Sequence, residues 1–330
     1  MSQSDQVLEI LDACEVRRAE RRHFLRMAGG AATVVAGASM LSACGDDNDQ
    51  FTPIITPSPT PSAAPVTDAD VLNFALNLEY LEAQFYSFAA FGTGLPASQL
   101  SGTGTQGGVT GGRQVAFTDP LVRQYAREIA NDEIAHVAFL RRNLGAAAVA
   151  QPALDIGSDP NGAFSSAARA AGLIGAGASF DPYATDENFL LGAFIFEDVG
   201  VTAYKGASVL ITSKPFLEAA AGILAAEAYH AGLVRTVLYR KGVATPALVD
   251  ATEAISNARD SLDGASDLDQ GVKAIGTASN IVPADSSAVA FSRSAGQVLN
   301  IAYLNKLATD RGGFFPAGVN GTIRLSAANG

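Results

Sequence analysis

Downstream of residue 66 the chain has two histidines, and each follows a glutamate by three positions: Glu133-Ile-Ala-His136 and Glu227-Ala-Tyr-His230. On a helix, residues three apart share a face, so each glutamate and its histidine can grip a common ion. Two further glutamates have a partner of another kind. Glu79 is followed seven residues later by Tyr86, and Glu197 seven residues later by Tyr204. Seven residues is about two helical turns, which puts each tyrosine on its glutamate's face. The chain therefore reads as two copies of one unit, Glu-x6-Tyr and then Glu-x2-His. Arg141 and Arg235 repeat as well, each five residues past its histidine.

Such a set suits a pair of divalent cations. Four carboxylates offer four negative charges to two ions, leaving a nearly neutral cluster. Their hard oxygen donors fit iron or manganese, with one imidazole for each metal. Bridging carboxylates hold two ions about 3.5–4 Å apart, the spacing of two-metal chemistry. The predicted ligands are Glu79, Glu133, His136, Glu197, Glu227 and His230. Tyr86 and Tyr204 are the predicted donors to carboxylate oxygens, fixing their orientation for catalysis. Each feature alone has a plainer reading, because a lone helical Glu-x-x-His is usually a surface ion pair. Together the six residues fall on four helices in order, and burying four unpaired glutamates without metal would be costly. Glu82 sits one turn from Glu79 and offset around the helix, so a surface position is preferred to an extra ligand. Asp132 and Asp198 are read as pointing away from the ligand faces. Tyr229 is read as packing between helices. For Arg141 and Arg235, outer carboxylate partners and a solvated face weigh equally.

Four long helices must carry these residues. Thr67-Asp68 caps a helix to about Phe91, with apolar positions at helical spacing. Thr118-Asp119-Pro120 starts a second, ended by Gly145. The third starts near Thr185-Asp186 and runs to about Ile211. The fourth starts at Ser213-Lys214-Pro215 and ends at Lys241-Gly242. Residues 145–185 are a long broken connection. Thr245-Pro246 opens a short helical segment, and Ser286–Leu307 could carry a later one. The tail from Gly312 to Pro316 is irregular, with aromatics free to pack back on the bundle. This order predicts an all-α fold, a ferritin-like four-helix bundle over 67–242 with one long crossover, plus a C-terminal extension over 243–330.

The composition bounds the rest. The 330 residues are 48% hydrophobic and 17% charged, which is globular. The net charge is −11 with no basic cluster beyond the N-terminal region, so nucleic acid is excluded as a partner. Both cysteines, Cys14 and Cys44, lie early, so the body holds neither disulfide nor thiolate metal site. No strongly apolar run reaches the 18 residues a membrane span needs.

The N-terminal region reads as an address. Arg21-Arg22-His23-Phe24-Leu25-Arg26 resembles the twin-arginine export signal, with Glu20 where Ser or Thr is usual. A mild apolar stretch follows and ends in Leu41-Ser42-Ala43-Cys44, which resembles a lipobox. The expectation is a signal peptide over 1–43, then a lipid-bearing Cys44 and a Pro-rich spacer over 44–66. A protein so addressed is exported folded to the periplasm and anchored to the envelope membrane through Cys44.

The chain resembles the ferritin-like desiccation-related proteins. The likeness rests on LNFALNLEYLEAQFY (72–86), NDEIAHVAFLRRNLG (131–145), ENFLLGAFIFEDVGVTAYKGA (187–207) and the tail GGFFPAGVNGTI (312–323), and covers roughly residues 67–325. The bundle motifs alone also fit rubrerythrins or manganese catalases, but the Cys pair of a rubredoxin-type arm is missing. The resemblance implies a ferritin-like fold and a link to drying or oxidative stress. Two functions stay open. One is an oxidoreductase, catalase-, peroxidase- or ferroxidase-like, consuming peroxide or dioxygen at two iron or manganese ions. The other is a non-catalytic metal-binding or structural protein of the envelope. A homo-oligomer fits either.

Overall fold

The computed structural model describes residues 65–329. The expected signal peptide, Cys44 and nearly all of the Pro-rich spacer lie outside the described residues.

Seven α-helices are described: α1 Asp68–Phe91, α2 Pro120–Leu144, α3 Ala163–Ala170, α4 Asp186–Ser208, α5 Lys214–Ala244, α6 Pro246–Asp263 and α7 Ala295–Ala302. The four long ones, α1, α2, α4 and α5, form the ferritin-like bundle, with α1 against α2 and α4 against α5 as two hairpins. Their ends follow local chemistry. Thr67 and Asp70 form a capping box on α1, and Gly92 ends it in the left-handed region at φ 77°. Asp119 caps α2 with Pro120 in its first turn. Thr185 caps α4 through the Asn188 amide. No helix among the described residues is long and apolar enough to cross a membrane.

α1 and α4 are buried on nearly every side, whereas α2 is buried on one stripe. The extra cover comes from the crossover and the C-terminal segment. The crossover contributes α3 and a strand, β2 (Leu154–Ile156), which pairs in parallel with β1 (Val109–Gly111) of the first loop. Phe164 of α3 and Phe314 of the tail pack edge to face, and both touch Phe196 of α4. Buried amides on α1 dock the irregular chain as a strand would. Asn77 donates to the Asn320 carbonyl and accepts from its N–H, both at 2.9 Å. Asn73 does the same for the Ala147 carbonyl and Val149 N–H.

The late helix is shorter than the expected Ser286–Leu307. Ser294 and Gln297 form a capping box that starts α7 at Ala295. Upstream, the Asp285 carboxylate takes the N–H groups of Ser287 and Val289 in a turn, competing with helix. Downstream, Leu304 at φ 53° ends it.

A second buried feature ties the extension to the bundle. Arg235 of α5, Arg259 of α6 and Arg293 are almost fully buried. Arg235 pairs with Asp198 at 2.8 Å, and Arg259 with Asp269 at 2.8 Å and Asp198 at 3.2 Å. Arg293 pairs with Asp263 at 2.5 Å and Asp269 at 2.7 Å. The remaining Arg235 donors reach carbonyls of Gln270, Gly271, Asn280 and Ile281. The two repeated arginines have therefore diverged: Arg141 donates to the Tyr80 hydroxyl, while Arg235 holds the extension.

Candidate metal centre

Each long helix delivers its carboxylate inward. Glu79 from α1, Glu133 from α2, Glu197 from α4 and Glu227 from α5 are at most 1% exposed, and His230 of α5 is 3% exposed. His136 of α2 is partly buried. Potential donor atoms fall in two groups, Glu79, Glu133, His136 and Glu227 in one and Glu133, Glu197 and His230 in the other, with the atoms of each within 4.8 Å of one another.

Glu133 belongs to both groups because its two oxygens diverge. Oε2 lies 3.4 Å from His136 Nδ1, and Oε1 lies 3.1 Å from His230 Nδ1. His136 Nδ1 also stands 3.2 Å from Glu79 Oε2 and 3.7 Å from Glu227 Oε1. His230 Nδ1 stands 3.7 Å from Glu197 Oε2. Of the two Glu-x-x-His pairs, Glu133 and His136 lie in contact at 3.4 Å. Glu227 joins the group around His136 across the bundle, and His230 joins Glu133 and Glu197. Glu133 is thus the residue common to both groups.

The tyrosines cross-link the two copies. Tyr86 of α1 donates to Glu197 Oε1 on α4, and Tyr204 of α4 donates to Glu79 Oε1 on α1. Each tyrosine orients the other copy's carboxylate. Asp132 sits half exposed at the edge, 3.1 Å from His230 Nε2. A proton on Nε2 directed at Asp132 leaves the Nδ1 lone pair facing Glu133 and Glu197. Asp132, expected to point away from the ligand face of its own helix, reaches the site through α5 instead. Glu82, read as a surface residue, is buried; it lies close to Glu133, Glu79 and Glu197, whose charges act on it. Tyr229 does not pack between helices; it is 76% exposed.

The electrostatics are those of a crowded acidic interior. Burial raises Glu79 to about 7 against the pull of His136, and raises Glu197 to about 8 against that of His230. Burial, then the neighbouring carboxylates led by Glu133, push Glu82 and Glu227 well above the usual range. Glu133 goes the other way: burial opposes its charge, but the imidazoles on both sides prevail and bring it to about 2. Burial likewise works against charged histidines and is outweighed, by Glu79 at His136 (about 11) and by Glu197 at His230 (about 9).

The residues fit a pair of metal ions by a direct test. Glu79 Oε2, both oxygens of Glu133 and Glu227, Glu197 Oε2 and both Nδ1 atoms are buried without an aligned hydrogen-bond partner. Native interiors rarely leave even one such atom unpaired. Here seven of the eight stand in imidazole-to-carboxylate contacts of 3.1–3.7 Å. Neighbouring donors around an octahedral divalent ion stand about 3 Å apart. Space is reserved as well: a Cβ on Gly200 of α4 would lie 2.4 Å from Glu227 Oε2, closer than atoms can approach.

Comparison with known proteins agrees with this fold. The model of the ferritin-like domain matches residues 67–240. The chain is 29% identical to the ferritin-like catalase Nec2 of Nesocodon mauritianus over 270 residues, 78% of this chain and 84% of the relative. It is 30% identical to the desiccation-related protein PCC13-62 of Craterostigma plantagineum over 248 residues, 70% of this chain and 75% of the relative. No solved structure matches significantly.

Proposed function

The chain belongs to the ferritin-like domain family, and from that premise we propose that it is an exported stress protein that removes hydrogen peroxide in a catalase-like reaction at two iron or manganese ions. The observation that carries this reading is the convergence of buried carboxylate oxygens and imidazole nitrogens, without aligned hydrogen bonds, in two sets that share Glu133. The likeness to a relative named as a ferritin-like catalase supports the reaction.

In this reading Glu79, His136, Glu133 and Glu227 would hold one ion, and Glu133, Glu197 and His230 the other. The bound pair supplies two-electron redox capacity. One peroxide gives up two electrons and two protons and leaves as dioxygen; a second takes both and leaves as two waters. The chain's own residues do the rest. Tyr86 and Tyr204 fix Glu197 and Glu79 in place, and Asp132 sets the His230 tautomer. The deep burial of the glutamates keeps bulk water from competing for their oxygens.

A second reading, a metal-stapled protective protein without turnover, is favoured by the likeness to a relative named as desiccation-related. One experiment separates them. Metal-loaded protein is mixed with peroxide, and evolved oxygen is followed at an electrode. Turnover lost in Glu133→Gln supports the enzyme. Two bound metals with no oxygen evolution would leave only the protective role.

Export to the periplasm and lipid attachment at Cys44 are part of the proposal, supported by the order of Arg21-Arg22, the apolar stretch and Leu41-Ser42-Ala43-Cys44. Intact-mass measurement of the membrane-extracted protein tests it: a lipid mass on Cys44, lost in Cys44→Ser, is expected.

A further inference from the structure

A second space adjoins the carboxylate cluster and is its chemical opposite. Between α1, α4 and α7 lies a half-open cleft with a void of about 30 Å³. Leu81 and Phe196 wall one side, while Val298, Ala302 and Phe314 bring the C-terminal extension onto the other. Glu82 is the one charged residue of the lining. Gly200 lines the cleft and borders the cluster too. A Cβ there would meet Glu227 Oε2 at 2.4 Å and Glu82 Oε1 at 3.4 Å. The bare backbone at residue 200 is thus where apolar space and carboxylates adjoin.

We infer that this cleft is a compartment for dioxygen, set between the carboxylate cluster and the extension. A void larger than about 10–15 Å³ admits one water-sized molecule, but water needs two to four polar partners to stay. The apolar walls offer almost none. Hydrogen peroxide, with two O–H groups, would lose hydrogen bonds on entry, at a cost of roughly 1–3 kcal/mol for each unmet group. Dioxygen loses none, because it is apolar and barely hydrated. The opposite edge of the cluster differs: the half-exposed Asp132 carboxylate and the partly exposed His136 ring give a hydrated approach suited to peroxide. Oxidant and gas therefore have separate sides of the bundle. The extension supplies much of the apolar wall on the gas side.

Dioxygen as the occupant rests on the peroxide reaction proposed above, which forms it; the affinity of the cleft for an apolar gas rests on its lining alone. Xenon is the probe. Crystals of the wild-type chain and of Ala302→Phe and the milder Ala302→Val are pressurised with xenon, and metal content is measured in each. Ala302 lies on α7, which carries no proposed ligand. A xenon peak against Phe196 and Ala302 is expected in the wild type, weaker in Ala302→Val and absent in Ala302→Phe, with metal content unchanged. An empty wild-type cleft, or equal xenon occupancy in all three, would overturn the inference. Xenon bound without oxygen evolution from peroxide would remove the reaction and the assignment to dioxygen but keep a gas-binding cleft. Oxygen evolution without xenon would remove the compartment alone.

Discussion

Tyr86 of α1 donates its hydroxyl to Glu197 of α4, and the reciprocal bond runs from Tyr204 to Glu79. The two bonds tie the halves of the duplicated unit together across the site. A phenol that fixes a ligating carboxylate sets where its free oxygen points, and losing such a partner weakens metal affinity by about 10–100-fold. Tyr86→Phe and Tyr204→Phe should each show that loss in metal titration monitored by calorimetry. Helix content by circular dichroism should stay unchanged, because both rings keep their packing. Unaltered affinity in both variants would contradict the positioning role.

Stability without metal should fall as pH rises from about 5 to 9. Glu79 (about 7) and Glu197 (about 8) are raised in the fold, so between their unfolded value of 4.5 and those values the folded state holds more protons. His136 (about 11) and His230 (about 9) are raised as well; the stability they give is fully present below 6.5 and is lost as pH climbs through the folded values. Both effects carry one sign, since stability drops with pH wherever the native state binds more protons. Glu133 (about 2) acts only in acid, stabilising above 4.5 and losing this as pH falls toward 2. Metal must displace these protons, so the loaded protein should show a flatter or reversed slope from pH 6 to 9. Thermal melts of both forms across that range check the sign; a metal-free Tm that climbs toward pH 9 would contradict it.

Arg293 is fully buried between Asp263 and Asp269 and also donates to the Thr202 hydroxyl at 3.0 Å. Arg293→Ala should destabilise the protein by about 3–5 kcal/mol in chemical unfolding, because it strands the buried Asp263 carboxylate and removes one of the two guanidinium groups paired with Asp269. Arg293 carries no proposed ligand role, so protein that still folds should bind its usual metal complement.

The positions of the helices were legible because capping residues and prolines mark them: Thr67, Asp119-Pro120, Thr185 and Pro215 stand where the chain turns into helix. The grouping of Glu79, Glu133, His136, Glu197 and Glu227 near His230 follows from helical spacing once four helices are paired. What remained hidden depends on contacts between elements. Asp132 points off its own ligand face yet meets His230 of α5. Glu82 would be solvated in a bare bundle; α7 and the tail cover that side of α1. The β1–β2 ladder lies in Gly-rich connections with no alternating pattern to announce it. Tyr229 stands exposed and not packed between helices, because its helix leaves that face uncovered.

Metal content of the native protein, measured by elemental analysis beside Glu133→Gln and the pair His136→Ala with His230→Ala, bears most directly on the proposed centre. About two iron or manganese ions per wild-type chain, with near-zero content in the double histidine variant and a sharp loss in Glu133→Gln, is the predicted result. Wild-type protein that takes up no metal at saturating supply, or variants that bind as much as the wild type, would contradict it.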